Sequence, residues 1–173
     1  KEIFSKKNNN NFVVSEITFY TTVNDESQKS ILYKSDKQYF CDTFDSSDNK
    51  IFSYVIDDED FTLSNSTAIA DVESAANEKI LMAYTGNGDV STVTTMKKDS
   101  NSHFTVNSSL EQYTYTDSGD VLTHIISEYL SEQWKTIWSE TNIYYGNSGK
   151  LETHTIETFR HTTGNENDLE ADK

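Results

Sequence analysis

Hydrophobic and polar residues alternate over short stretches along most of this chain. The stretches are rich in Thr, Tyr, Val and Ile, and clusters of Asn, Asp, Ser and Gly separate them. This pattern is typical of antiparallel strands that short hairpin turns connect. It predicts ten strands, at residues 12–22, 29–35, 37–44, 50–56, 79–85, 90–97, 103–115, 121–130, 134–145 and 151–162.

One short pattern recurs three times, namely Tyr-x-x-x-Gly followed by Asp or Lys and then by Val or Leu. Its glycines are Gly88, Gly119 and Gly149. A hairpin loop that closes with a positive φ favours glycine, because glycine has no Cβ to clash with the backbone. The repeat therefore predicts three hairpin turns, and it indicates no function by itself.

The segment 121–138 has two interpretations. Its apolar residues fit helical spacing as well as strand alternation. However, Thr123-His124 and Thr153-His154 stand at the same offset after their glycines. A shared offset favours two equivalent strands, so we prefer the hairpin interpretation and keep the helix as the alternative.

An alanine-rich segment is the better helix candidate. Four of the six alanines lie within residues 66–78. Ser66 or Thr67 would cap the helix, and Ile69 and Val72 would belong to its apolar stripe. We therefore expect one helix near 66–78.

These elements predict a mainly β fold, either all-β or α+β with one helix. Short connections indicate an antiparallel meander of about ten strands, which we expect to curl into a barrel or half-barrel because an open sheet leaves its edges exposed. Residues 12–163 would form a single β-rich domain. Residues 1–11 would be a polar N-terminal tether, and residues 164–173 a disordered acidic tail.

Composition excludes several classes of protein. The net charge of −15 repels phosphates, so we expect no nucleic-acid partner. Cys41 is the only cysteine, which excludes an internal disulfide and a cysteine-based zinc site. Proline is absent and Arg160 is the only arginine. Those residues have GC-rich codons, which indicates an AT-rich genome, such as that of a low-GC bacterium.

No stretch has the roughly 20 apolar residues that cross a bilayer, so we expect a chain that does not span the membrane. The Lys/Asn-rich start fits a tether to a membrane through a segment that is missing from this sequence. We therefore expect an extracellular or cell-surface protein, with a cytoplasmic location as the alternative.

The sequence favours a protein that is not an enzyme. It has no nucleophile-elbow, phosphate-loop or zinc-protease motif. His124 and His154 would lie two strands apart, about 9–10 Å, which is too far to share one metal ion. The acidic run 57–60 lacks the ligand spacing of a calcium loop. We expect no metal and no cofactor.

The aromatic share of 12% supplies the candidate site. We expect an aromatic, concave sheet face that binds a small apolar or partly apolar ligand, or a segment of a protein partner. The candidate residues are Tyr129, Trp134, Trp138, Tyr144 and Phe159. The structural alternative is that these rings only fill the core.

Two other functions stay open. The charge fits an acidic inhibitor or immunity-type protein that blocks a cationic partner, and such binding would weaken in high salt. The histidines and carboxylates fit a hydrolase, in which a change at His124 would abolish activity without unfolding the chain.

Overall fold

The structure is a computed structural model of the chain, and it describes residues 1–8, 11–23, 26–145, 149–160 and 170–172. These residues form twelve strands, one α-helix and a 3₁₀ turn at Asp58–Asp60. The elements in chain order are β1 Glu2–Asn8, β2 Asn11–Val23, β3 Glu26–Ser35, β4 Gln38–Phe44, β5 Lys50–Asp57, α1 Ile69–Ala75, β6 Glu78–Tyr84, β7 Val90–Lys98, β8 Phe104–Tyr115, β9 Val121–Leu130, β10 Gln133–Tyr144, β11 Leu151–Arg160 and β12 Glu170–Asp172.

The strands form one sheet in which each pairs with its neighbours in the sequence. This order is an antiparallel meander, and it confirms the predicted mainly β fold class. Each of the ten predicted strands is present, and the last two residues of the predicted strand 151–162 lie outside the described residues. β1 and β12 are additional, within the segments predicted as the tether 1–11 and the tail 164–173. Most of that tail lies outside the described residues, and the domain boundaries stay a prediction.

The segment 121–138 contains β9 and the first half of β10. The two strands pair from Thr123 opposite Thr141 to Leu130 opposite Gln133. The hairpin interpretation is therefore confirmed, and the helical alternative is wrong.

Contacts divide the chain into two compact units. Unit 1 comprises Lys1–Met82 and Met96–Val106, and unit 2 comprises Ala83–Thr95 and Asn107–Lys173. All the described hydrophobic side chains that are buried belong to unit 1. They are Ile17, Phe19, Leu32, Tyr39, Cys41, Tyr54, Val55, Ile56, Val72 and Ala76.

The helix α1 belongs to unit 1 and is shorter than expected. Val72 is fully buried, and Ile69 packs against the same core. The expected cap at Ser66 or Thr67 is wrong, because Ala68 precedes the first turn and donates its N–H to the carboxylate of Asp71 at 2.7 Å. A side chain inside the first turn thus satisfies a backbone N–H at the helix start.

Four hairpin turns share one five-residue geometry, at residues 45–49, 85–89, 99–103 and 116–120. In each turn the first residue donates its N–H to the carbonyl of the fifth, and the fourth donates to the carbonyl of the first. A side-chain oxygen of the first residue, Asp or Thr, accepts the N–H of the fifth. The fourth residue has positive φ. Three-residue hairpin loops with a left-handed final position have this form.

The repeated glycines occupy positive-φ positions, as predicted. The φ angles are 90° at Gly88, 89° at Gly119 and 65° at Gly149. Gly88 and Gly119 stand at the fourth position of two of the four five-residue turns. Asp48 and Ser102 stand at that position in the other two, with φ angles of 61° and 64°. The glycine pattern therefore marked only half of the turns that share this geometry.

Candidate functional site

Register places five polar and aromatic side chains on one face of unit 2. Glu111 and Trp138 both lie opposite Ile126, on either side of β9. Two residues further along, Tyr113 and Glu140 both lie opposite His124. Cross-strand partners share a face of the sheet. We call Glu111, Tyr113, His124, Trp138 and Glu140 the aromatic–acidic face.

The carboxylate of Glu111 joins two rings on this face. It accepts a hydrogen bond from the Tyr113 hydroxyl at 2.7 Å and lies 3.1 Å from Nε2 of His124. The two rings are stacked, with centroids 4.2 Å apart, and Trp138 meets His124 edge to face at 4.9 Å. Burial, together with the hydrogen bond to Glu111 and its charge, raises the pKa of Tyr113. Tyr113 is therefore a neutral donor in ordinary buffers.

A second carboxylate–histidine contact joins β10 to β11. Glu140 Oε1 lies 3.3 Å from Nε2 of His154 and accepts a hydrogen bond from Asn142 at 3.0 Å. The amide of Asn142 is buried and also lies 3.2 Å from the carbonyl oxygen of Val121. His124 and His154 are thus on strands that β10 separates, as expected.

A cavity of about 480 Å³ lies at the end of unit 2, lined by the 116–120 turn and by Gly149. Its aromatic walls are Tyr115 and Tyr144, and Leu122 lies between them in sequence. The Tyr115 hydroxyl donates to the Val90 carbonyl at 2.6 Å, and the Tyr144 hydroxyl donates to the Val121 carbonyl at 2.9 Å. Burial and the charge of Asp89 raise the pKa of Tyr115.

Two carboxylates line the same cavity, those of Asp117 and Asp120. Asp117 is exposed, whereas Asp120 is half-buried and accepts a hydrogen bond from Ser118 at 3.0 Å. The described lining includes no Lys or Arg. The cavity therefore combines two fixed aromatic rings with a negative potential.

The predicted site residues lie on both faces of the sheet. Trp138 and Tyr144 belong to the face described above. Trp134 lies opposite Tyr129, and the two rings meet edge to face at 5.1 Å. This pair lies on the opposite face of the sheet from Trp138. Phe159 lies on that opposite face too, because it is two residues beyond Glu157, which pairs with Ser139, the neighbour of Trp138 on β10. The structure therefore does not bring the five predicted residues together.

A β-bulge causes this division. The register of β10 against β9 shifts between Thr136, which lies opposite Ser127, and Trp138, which lies opposite Ile126. Ile137 is the extra residue, and an extra residue reverses the alternation of faces along a strand. Sequence reasoning missed Glu111 and Tyr113 because no motif marks them, and a second register shift beside Tyr115 hides their alignment with β9.

Unit 1 has a larger cavity of about 1190 Å³, and its lining is mainly charged. Asp57, Asp58 and Glu59 of the predicted acidic run line it, with Phe40 as the only aromatic side chain among the described lining residues. Lys34 forms an ion pair with Asp58. The described lining of this cavity has one aromatic ring, whereas the cavity of unit 2 has two.

The described residues contain neither a cluster of metal ligands nor a membrane-spanning helix. No three His, Cys, Asp or Glu side chains are grouped closely enough there to hold a metal ion. Among these residues, too, no helix is long and apolar enough to cross a membrane.

Comparison of the chain with protein-family models, with curated proteins and with solved structures found no match.

Proposed function

We propose that this chain is a non-catalytic binding protein that holds a partly apolar ligand or a partner's segment on the aromatic–acidic face of unit 2. One observation carries the proposal: the large rings on this face are fixed in place, yet no described hydrophobic side chain of unit 2 is buried. Partly exposed aromatic surface of this kind commonly marks a site of interaction.

Preorganisation supports the proposal. Tyr113, Tyr115 and Tyr144 each use the hydroxyl to donate a hydrogen bond to an acceptor within unit 2. Their rings therefore lose little conformational freedom when a ligand packs against them, which lowers the entropic cost of binding. The carboxylates of Glu111 and Glu140 add polar groups that would orient the ligand.

The alternative is that the rings only form a core. It agrees less well with the side chains that are buried in unit 2. In unit 1 the sheet and α1 enclose a core with several fully buried side chains. In unit 2 the buried side chains among the described residues are Ser127 and Asn142, which are polar. A hydrophobic core would contain fully buried apolar side chains, as the core of unit 1 does.

Native mass spectrometry of the full chain tests the proposal, with a denatured sample as the reference and organic extraction of any released molecule. We expect an adduct that Trp138→Ala loses and Trp134→Ala retains, because Trp134 lies on the other face. Circular dichroism would verify that both variants fold. An adduct that survives Trp138→Ala, or a wild-type chain without any adduct, would count against a ligand held on this face.

A hydrolase is the second candidate, and the contact between Glu111 and His124 at 3.1 Å favours it. A carboxylate that orients an imidazole is a common arrangement in general base catalysis. Hydrolysis of ester or glycoside test substrates, lost in His124→Gln while the fold is retained, would support this candidate over the first.

A further inference from the structure

We infer that the partner is a polypeptide segment with a Lys or Arg side chain, and that this side chain enters the cavity between Tyr115 and Tyr144. This inference rests on the proposed binding function and names the chemistry of its ligand. The cavity is lined by two aromatic rings, one leucine and two carboxylates. That combination suits a cation on an apolar stem.

The rings and the carboxylates act on different parts of such a side chain. An ammonium or guanidinium group is attracted to the face of a Tyr ring, and carboxylates form charge-assisted hydrogen bonds with it. The methylene stem of Lys or Arg packs along apolar surface, which Leu122 offers. A neutral apolar ligand would further desolvate the half-buried Asp120 carboxylate without supplying a positive charge.

The charge of the chain supports the same partner. The net charge is −15, and acidic residues outnumber Lys and Arg more strongly in unit 2 than in unit 1. Such a field attracts cationic partners and accelerates their association at low salt.

The distance between the cavity and Trp138 favours a polypeptide segment over a small amine as the partner. Tyr144 at the cavity and Trp138 on the aromatic–acidic face are six residues apart on β10, which is about 20 Å along a strand. A single small amine would fill only the cavity. An extended segment would place one basic side chain between the tyrosines and further side chains over Trp138 and Tyr113.

Fluorescence anisotropy of labelled peptides tests the inference on the full chain. The probes are a ten-residue peptide of alternating Thr and Lys, and the same peptide with norleucine in place of Lys. We expect the Lys peptide to bind at least about tenfold more tightly than the norleucine peptide, since each factor of ten corresponds to only about 1.4 kcal/mol. Binding of the Lys peptide should weaken as NaCl rises from about 0.02 M to about 0.5 M.

Matched variants separate the cavity from the general charge of the chain. Asp117→Asn with Asp120→Asn should weaken binding of the Lys peptide about tenfold, because both charges that face the cation are removed. Glu26→Gln with Glu132→Gln removes the same charge from exposed positions in unit 1 and in the β9–β10 turn, outside the cavity and the aromatic–acidic face, and should change binding less than twofold. A third variant, Tyr144→Leu, removes one ring but no charge, and it should also weaken binding.

Three results would overturn the inference. Equal losses of affinity for the Lys peptide in the two double variants would mean that the charge of the whole surface attracts the peptide. Equal binding of the norleucine and Lys peptides, with dependence on Tyr144, would retain the proposed binding face but exclude a cationic partner. If neither peptide binds, a cationic partner is excluded as well. The mass-spectrometry experiment would then decide the proposed function separately.

Discussion

Trp134 and Trp138 are four residues apart on one strand, but they lie on opposite faces of the sheet. Trp134 lies opposite Tyr129, whereas Trp138 lies opposite Ile126 and contacts His124. In a regular strand, residues four apart share a face. The extra residue Ile137 breaks that rule and leaves one tryptophan on each face as a natural reporter.

Single-tryptophan variants should report which face a partner occupies. Trp134→Phe leaves Trp138 as the only tryptophan, and Trp138→Phe leaves Trp134. We expect the alternating Thr/Lys peptide to change the emission of the first variant, because its segment would pack over Trp138, and to leave the second unchanged. Titration of tryptophan fluorescence with the peptide measures this. Equal changes in both variants would contradict the assignment of the site to one face.

Glycine at position 119 should be needed for the stability of its turn. Its φ angle is 89°, a conformation that disfavours any side chain with a Cβ. We expect Gly119→Ala to lower the free energy of unfolding by about 1–2 kcal/mol, as measured by urea denaturation. Gly86→Ala is the control, because a Cβ there meets no atom within 4 Å and its φ is not positive. Similar losses at both positions would show that backbone strain is not the cause.

Two turn aspartates should make stability depend on pH under acidic conditions. The backbone N–H of Asn49 holds the pKa of Asp45 below its usual value, and the backbone N–H of His103 does the same for Asp99. A lowered pKa in the folded state means that the stabilisation is present above about pH 4, the usual value of an unfolded aspartate. It is lost as the pH falls through the folded pKa.

The double variant Asp45→Asn with Asp99→Asn tests this dependence. Asparagine keeps an oxygen acceptor but not the charge, so we expect the variant to melt below the wild type at neutral pH. The gap in melting temperature should narrow as the pH falls below about 4. The variant Glu128→Gln with Glu132→Gln has the same change in charge at exposed positions outside these turns, and its gap should stay small throughout. A gap for the turn variant that is constant with pH would contradict the prediction.

The thiol of Cys41 should be unreactive in the folded chain. Burial, with the charge of Asp42 as a smaller cause, raises its pKa to about 12, and its side chain is fully enclosed. Because the thiolate is the reactive form, we expect almost no reaction with a disulfide reagent at pH 8 in native buffer. Reaction of one thiol per chain should follow in urea. Rapid reaction of the native protein would contradict the burial of Cys41 in the core of unit 1.

Much of the fold could be predicted from the sequence. Local patterns determined the antiparallel meander, the ten strands β2 to β11, and the positive φ at the repeated glycines. They also favoured strands over a helix in 121–138, through the matching positions of His124 and His154. These features depend on side-chain alternation and turn chemistry, which act between residues close in the sequence.

The composition of the site was decided by the tertiary structure. The bulge at Ile137 separated the predicted set of aromatic residues, and the pairing of β8 with β9 brought Glu111 and Tyr113 to His124. The physical reason is that one inserted residue exchanges the two faces of a strand at a small local cost, and no signal in the residue types marks where it occurs. The sequence by itself therefore determined ten of the twelve described strands, and the register of the strands decided which side chains meet.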